Sequence, residues 1–168
     1  MEQVDGDAET SGSVPRGDQR LLEHWTPRGS TSAWAGGGPD APASLRNIRI
    51  LVVEDEPLIA MCLEIALRDV GAIVFVAMSE ADVERLLDQV CTFDLLITDV
   101  NLGAGGCGFA VARAMRRRDP AAAVIFLSGR SEASVRREGV PRAACLSKPV
   151  SDATLIRAAV ELVTESTG

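Results

Sequence analysis

The sequence contains no tyrosine, one histidine and only 4% aromatic residues. Its apolar runs fall well short of the roughly 20 residues that a membrane-spanning helix requires. The first 30 residues also lack the basic and then apolar order of a signal peptide. We therefore expect a cytoplasmic protein with no membrane partner. The net charge of −7 argues against nucleic acid as the primary partner, because phosphate backbones are bound through lysine and arginine clusters.

Cysteine usage indicates neither a zinc site nor a disulfide framework. Cys62, Cys91, Cys107 and Cys145 are widely spaced and form no C-x-x-C pair, and the single histidine, His24, is distant in sequence. This spacing is typical of reduced thiols at ordinary packing positions.

Two regions differ in composition. Residues 1–45 are rich in Gly, Pro, Ser and Ala and show no sustained apolar period, which predicts a disordered N-terminal tail. Residues 46–168 alternate short apolar runs with helical segments, which predicts an α/β domain with a doubly wound, five-stranded parallel sheet. The predicted strands are residues 48–53, 72–77, 95–99, 123–128 and 143–147. The predicted helices are residues 57–70, 79–88, 109–118, 132–138 and 152–164.

The first predicted helix carries Ile59, Cys62, Ala66 and Val70 at helical spacing, so we expect this stripe to face the core. The fourth helix is short and poor in large apolar residues, so we expect it to be the least firmly held.

Charged and hydroxyl residues follow the predicted strands where they end. Glu54, Asp55 and Glu56 follow the first strand, Asp99 and Ser128 end the third and fourth, and Lys148 follows the fifth. In such sheets the carboxyl ends of the strands line a common crevice. Acids gathered there repel one another unless a cation lies among them, and oxygen ligands favour Mg²⁺. Glu56 has a simpler interpretation as an acid at the positive end of the first helix.

Lys148 is the only lysine in the chain, against sixteen arginines. A compact ammonium group acts as a point charge toward phosphate or carboxylate, whereas guanidinium binds them in a planar fork. This composition indicates that the position requires a lysine.

Together these motifs resemble the receiver domains of two-component response regulators. The acidic pair Glu54-Asp55 stands in "LVVEDEP", Asp99 in "FDLLITDVNL", Ser128 in "IFLSGR" and Lys148 in "LSKPV". The resemblance covers residues 48–164 and implies a flavodoxin-like (βα)5 fold with strand order 2-1-3-4-5, so that residues 46–168 form a receiver domain.

The resemblance implies that Asp99 accepts a phosphoryl group from the histidine of a partner sensor kinase. It also implies that Mg²⁺ is bound by Asp55, Asp99 and the backbone carbonyl of Asn101, with Glu54 acting through water. Such a protein catalyses only its own phosphorylation and dephosphorylation.

Two further residues take roles from the resemblance. Lys148 would pair with Asp99 before transfer and with a phosphoryl oxygen afterwards, and Ser128 would donate its hydroxyl to another phosphoryl oxygen. The family also implies a cis Lys148–Pro149 bond. No histidine occurs in the predicted domain, so the phosphoryl donor is expected to be another molecule.

The sequence departs from the family pattern on the last strand. Receivers usually carry an aromatic residue three positions before the lysine, and here that position is Cys145. The usual aromatic switch therefore cannot operate through this residue. We expect switching to use the fourth helix and its neighbouring arginines, Arg130, Arg136 and Arg137.

The loop after Asp99 leaves an enzymatic alternative open. Gly103, Gly105 and Gly108 satisfy G-x-G-x-x-G between a strand and a helix, a pattern used for dinucleotide binding. However, the loop follows the third strand, and the next strand ends in Ser128 where an acid is expected. A second alternative is a receiver-fold interaction module without phosphotransfer, against which the complete acidic and lysine set argues.

Few residues follow the fifth helix, so we expect a stand-alone regulator without an output domain. It would signal through contact, by the face formed from the fourth helix, the fifth strand and the fifth helix. A histidine phosphotransfer protein or a downstream effector is an expected partner besides the kinase.

Overall fold

The computed structural model describes residues 45–90, 92–130 and 132–166. The predicted tail, apart from Leu45, lies outside the described residues. Leu45 is buried, and its amide donates to the carbonyl of Val70 at 3.0 Å. Leu45, the first described residue, therefore packs with the domain.

The described residues contain five long strands and five α-helices in alternating order. The strands are β1 Arg49–Val53, β2 Ile73–Ala77, β3 Leu95–Asp99, β4 Ala123–Ser128 and β5 Ala143–Ser147. The helices are α1 Pro57–Asp69, α2 Glu80–Gln89, α3 Gly108–Arg118, α4 Glu132–Glu138 and α5 Asp152–Ser166. The predicted boundaries agree with these within two residues. Within these residues, no helix is both long and apolar enough to cross a membrane.

The long strands form one parallel sheet in the order β2-β1-β3-β4-β5, which confirms the predicted fold. In the register of this sheet, Asp99 lies beside Leu127 and Ser128 lies beside Ser147. Parallel pairing therefore brings the carboxyl ends of the strands, with the polar residues that follow them, to the same edge.

The sheet separates two apolar cores. Leu51 of β1 packs in the core on the side of α2, α3 and α4, whereas Ile50 packs in the core on the side of α1 and α5. Burial on both faces explains why the central strands are apolar throughout instead of alternating.

The predicted core face of α1 is confirmed at three of its four positions, because Ala66 is buried and Ile59 and Val70 pack half-buried against the core. The helix buries Ala60, Leu63, Ala66 and Leu67, while Cys62 is exposed. Because α1 is apolar on most of its circumference, spacing alone does not fix which stripe faces inward. The solvent-facing side of the helix carries a stripe that includes Leu58, Met61 and Ile65.

Candidate functional site

Three strands deliver ionisable side chains to the carboxyl edge of the sheet. Glu54 follows β1 and is buried, with its side chain 1% exposed. Asp99 ends β3 with its side chain 14% exposed, and Lys148 follows β5 with its side chain 24% exposed. Ionised groups this deeply placed require partners of opposite charge.

Lys148 supplies that opposite charge. Its Nζ lies 2.8 Å from Oε2 of Glu54 and 2.5 Å from Oδ2 of Asp99. The structure thus brings together three residues that are far apart in sequence. The Lys148–Pro149 peptide bond is cis, as the family resemblance implied.

The pKa values of two members reflect this contact. Burial raises the pKa of Glu54 and outweighs the opposing effect of Lys148. Burial alone would lower the pKa of Lys148, but hydrogen bonds and charges from Asp99 and Glu54 outweigh it and raise the pKa. The ammonium group therefore remains charged at neutral pH.

Asp55 completes an acidic cluster suited to a divalent cation. Carboxylate oxygens of Glu54, Asp55 and Asp99 all lie within 4.8 Å of one another. Three carboxylates against one ammonium leave negative charge uncompensated, and the donors are oxygens, which Mg²⁺ prefers. The residues present therefore fit a magnesium ion. We call Glu54, Asp55, Asp99 and Lys148 the acidic pocket.

Asn101, whose carbonyl was predicted as a metal ligand, lies on the same loop as this pocket. Its backbone N–H donates to Oδ1 of Asp99 at 3.0 Å, and its side chain is exposed. This hydrogen bond leaves Oδ2 of Asp99 to Lys148, so the two carboxylate oxygens have different partners.

Two glycines allow close approach around the pocket. A Cβ on Gly103 would lie 2.6 Å from Oδ2 of Asp55, and one on Gly108 would lie 2.0 Å from the carbonyl oxygen of Asp99. Neither position accommodates a side chain without displacement of a pocket residue.

The loop after β3 contains a small element that the sequence did not predict. Asn101–Leu102 pairs antiparallel with Gly106–Cys107 around a 3₁₀ turn at Gly103–Gly105. The amide of Cys107 donates to Oε1 of Glu80, and that of Gly108 donates to the carbonyl of Val100. These two amides already have partners within the chain, whereas a dinucleotide-binding loop uses its amides for phosphate.

Ser128 is buried at the end of β4. Its Oγ accepts a hydrogen bond from the amide of Arg130 at 2.9 Å, and its carbonyl accepts one from the amide of Lys148. The guanidinium of Arg130 in turn donates to Oε1 of Glu138 at 2.5 Å. A chain of contacts therefore runs from Ser128 to the end of α4.

The other residues predicted to take part in switching lie on β5 and α4. Cys145 is half-buried on β5 and packs against the core beneath α4. Arg137 is exposed on α4, and the side chain of Arg136 lies outside the description.

Sequence reasoning missed three contributors to the site, namely Glu80, Thr98 and Glu138. Glu80 reaches a loop that is 27 positions away in sequence, so no local pattern reveals it. Thr98 is a hydroxyl residue in an otherwise apolar strand, and its Oγ1 donates to the carbonyl of Asp99. That interruption was the available signal.

The fold and the acidic pocket define a class: doubly wound α/β domains with a charged crevice at the carboxyl edge of the sheet. The family model described as the response regulator receiver domain matches residues 50–160. The chain therefore belongs to the response regulator receiver family, whose members act in two-component signalling.

Solved structures agree with this assignment. A response regulator receiver protein from Sinorhizobium medicae WSM419 shares 30% identity at a TM-score of 0.67, and the match covers 73% of this chain and 99% of that one. A receiver domain protein from Clostridium thermocellum shares 26% identity at a TM-score of 0.63, covering 71% and 97%. The chemotaxis response regulator CheY4 of Vibrio cholerae shares 23% identity at a TM-score of 0.63, covering 69% and 98%, and supports the fold.

Proposed function

We propose that this chain is a phosphoacceptor in which Asp99 receives a phosphoryl group from the phosphohistidine of a sensor kinase. The observation that carries the proposal is the position of the Asp99 carboxylate, 2.5 Å from the Lys148 ammonium and within 4.8 Å of two further carboxylates. A carboxylate held in this way is rigid and aligned, which phosphoryl transfer chiefly requires.

In the proposed reaction, a carboxylate oxygen of Asp99 forms a bond to phosphorus while the bond from phosphorus to the donor imidazole breaks. The imidazole leaves with the electron pair. Lys148 passes from Oδ2 of Asp99 to a phosphoryl oxygen, and Ser128 donates its hydroxyl to another. Asp55, Asp99 and the carbonyl of Asn101, with Glu54 through water, would hold Mg²⁺, which supplies neutralisation of phosphoryl charge.

The proposal is tested by incubating the full chain with phosphoramidate and Mg²⁺ and measuring intact mass. Wild type should gain the mass of one phosphoryl group, and chelation of Mg²⁺ should abolish the gain. Asp99→Asn should remain unmodified. Asp69→Asn is the matched control, because Asp69 is an exposed aspartate at the end of α1, and it should react as wild type does.

Equal phosphorylation of Asp99→Asn and wild type would defeat the assignment of the nucleophile. If folded wild type gains no mass from either a small donor or a phosphorylated kinase, the chain is an interaction module that keeps the receiver fold without phosphotransfer.

We further propose that the donor docks on α1. Five large hydrophobic side chains are exposed in the described part of the chain, and Leu58, Met61 and Ile65 form one stripe on this helix. The helix begins one residue after the acidic segment 54–56, so the stripe lies next to the acidic pocket. Exposed apolar patches mark contact sites, and a helical stripe fits a groove between helices of a partner.

Replacing Met61 by Asp should slow transfer from a phosphorylated sensor kinase by about tenfold, because a buried charge would oppose docking. Phosphorylation by phosphoramidate should be unchanged, since that donor needs no docking surface. Ile73→Asp places the same charge on an exposed residue at the amino end of β2 and serves as the control. Equal slowing with both donors would instead indicate damage to the acidic pocket.

A further inference from the structure

A cavity of about 350 Å³ lies at the amino end of β5, the end opposite to the acidic pocket. Its walls come from β4, α4, β5 and the loop between α4 and β5. Its lining residues include Phe126, Val135, Val140, Pro141 and Cys145, although more of its exposed surface is polar than apolar. This volume is at the small end of the range for ligand sites, which start at about 300 Å³, and suits a single large side chain.

Three arginines lie around this cavity, and we call them the basic rim: Arg113, Arg116 and Arg142. Arg142 lines the cavity itself. Arg116 donates to the carbonyl of Pro141 at 3.0 Å and to that of Arg142 at 3.4 Å. Arg113 donates to the carbonyl of Glu138, at the end of α4, at 3.3 Å. The guanidinium group of Arg116 is therefore held by the loop that forms the cavity wall, and that of Arg113 by the adjoining end of α4.

The positive charge of the basic rim has little compensation. Arg113 and Arg116 bond to carbonyl oxygens, which carry no full charge. Burial, followed by the neighbouring charge of Arg142, lowers the pKa of Arg116, although the charge of Asp119 acts in the opposite direction. Among buried side-chain polar atoms of the described residues, Nε of Arg116 lacks a hydrogen-bond partner. These are signs of cations held close together without enough anionic partners.

The segment around the cavity has the same excess of positive charge. Residues 113–142 contain eight arginines and three acidic residues, although the chain as a whole has a net charge of −7. Glu138 bonds to Arg130, and a carboxylate oxygen of Asp119 accepts from the amide of Ala121. Glu138 is thus paired with another arginine, and Asp119 compensates the charge of Arg116 only in part, because the pKa of Arg116 is still lowered. An acidic partner would supply further compensation.

We propose that the cavity and its basic rim form a docking site for an acidic segment of a partner protein, which inserts one large apolar side chain and places carboxylates on Arg113, Arg116 and Arg142. The apolar residues of the lining would contact the inserted side chain. The carboxylates would form charge-assisted hydrogen bonds with the guanidinium groups of the basic rim.

A protein segment fits these features better than nucleic acid. The apolar residues that line the cavity favour an apolar side chain at the centre of the contact, and a phosphate backbone has none. The basic residues are local to one segment, and the overall negative charge of the chain opposes the approach of a long polyanion. The proposal is independent of phosphotransfer, because none of its residues belongs to the acidic pocket.

The test is fluorescence anisotropy with the full chain and a labelled peptide in which one phenylalanine is flanked by aspartates. Binding should weaken as salt is raised, and it should be lost when lysines replace the aspartates or alanine replaces the phenylalanine. Charge reversal at the rim, Arg113→Glu with Arg142→Glu, should weaken binding by at least about tenfold. Arg157→Glu reverses an exposed charge on α5 and should have no effect.

A second variant separates the cavity from the charge. Ala143 lines the cavity, so Ala143→Leu should fill it and weaken binding of the phenylalanine peptide. This variant tests the cavity even if the charge-reversal variant misfolds. Asp99→Asn should bind as wild type does, which keeps this outcome distinct from that of phosphotransfer. Absence of binding up to millimolar peptide, equal binding of the lysine peptide, or tighter binding of a random-sequence oligonucleotide would each overturn the proposal.

Discussion

The acidic pocket and the basic segment, residues 113–142, lie in the same domain but differ in the partners of their charged side chains. In the acidic pocket, two largely buried carboxylates bond directly to one ammonium group. In the basic segment, guanidinium groups bond mainly to backbone carbonyls. The described residues outside the segment contain six basic and fourteen acidic residues, so the imbalance is reversed there.

The difference shows how burial decides the partner that a charge requires. An ion removed from water needs an opposite charge, whereas a partly exposed one can be satisfied by dipoles and water. Removal of the ammonium group from the acidic pocket should therefore affect stability more than removal of a guanidinium group from the basic segment.

The sharpest test of this comparison is Lys148→Met. Loss of the ammonium leaves Glu54 and Asp99 close together without compensation, so the free energy of unfolding should fall by about 3 kcal/mol at neutral pH without divalent ions. Denaturant unfolding would measure this. Added Mg²⁺ should stabilise the variant more than wild type, because in the variant Mg²⁺ does not compete with the ammonium group for the carboxylates.

Arg157→Met is the control for Lys148→Met. It removes an exposed cation from α5 and should change stability by no more than about 0.5 kcal/mol. If Lys148→Met unfolds at the same denaturant concentration as wild type, the two carboxylates do not depend on Lys148, and the contrast between the regions is lost.

Arg116→Met tests the other region. This side chain donates to the carbonyls of Pro120, Pro141 and Arg142 and thereby joins two loops. Its loss should lower the free energy of unfolding by about 1–2 kcal/mol, less than at Lys148, because the released carbonyls can bind water. Arg117→Met, at an exposed neighbour on α3, should have little effect. A loss at Arg116 larger than at Lys148 would reverse the ranking.

Sequence reasoning reached the acidic pocket because parallel strands bring the residues at their carboxyl ends together. Asp99 and Lys148 each mark a strand end, so their contact follows from topology. The basic segment offered no such rule, because Arg113 and Arg116 reach carbonyls 25 positions away through loop geometry. On α1 the predicted stripe was right at Ala66 and wrong at Cys62, because a helix apolar on most sides gives no unique inward face.

The contacts from Ser128 through Arg130 to Glu138, which link the acidic pocket to the basic segment, were only partly predictable from the sequence. Arg130 was expected to take part in switching, but its link to Glu138 arises from the way α4 folds back over the loop after β4. If Ser128 turns toward a phosphoryl group, the amide of Arg130 loses its acceptor. We predict that the ion pair with Glu138 would then connect Ser128 to α4 without an aromatic residue at position 145.

The smallest expected effect on stability is that of the Glu54 carboxyl group, and its sign depends on pH. Burial raises the pKa of Glu54 above its usual 4.5, so the folded state holds this proton more tightly than the unfolded state does. The resulting stabilisation is complete below 4.5 and is lost as pH rises through the raised pKa. Glu54→Gln removes the buried charge and should be slightly more stable than wild type at neutral pH without Mg²⁺.

The difference between Glu54→Gln and wild type should shrink as pH falls toward 4.5, since both then carry a neutral group at this position. Urea unfolding between neutral pH and this value measures it, and Glu161→Gln, an exposed glutamate on α5, should show no comparable trend. A variant less stable than wild type at neutral pH would mean that the Lys148 contact outweighs the burial of Glu54. The ion pair with Lys148 would then fully offset the cost of burying the Glu54 carboxylate. Burial would no longer distinguish the acidic pocket from the basic segment.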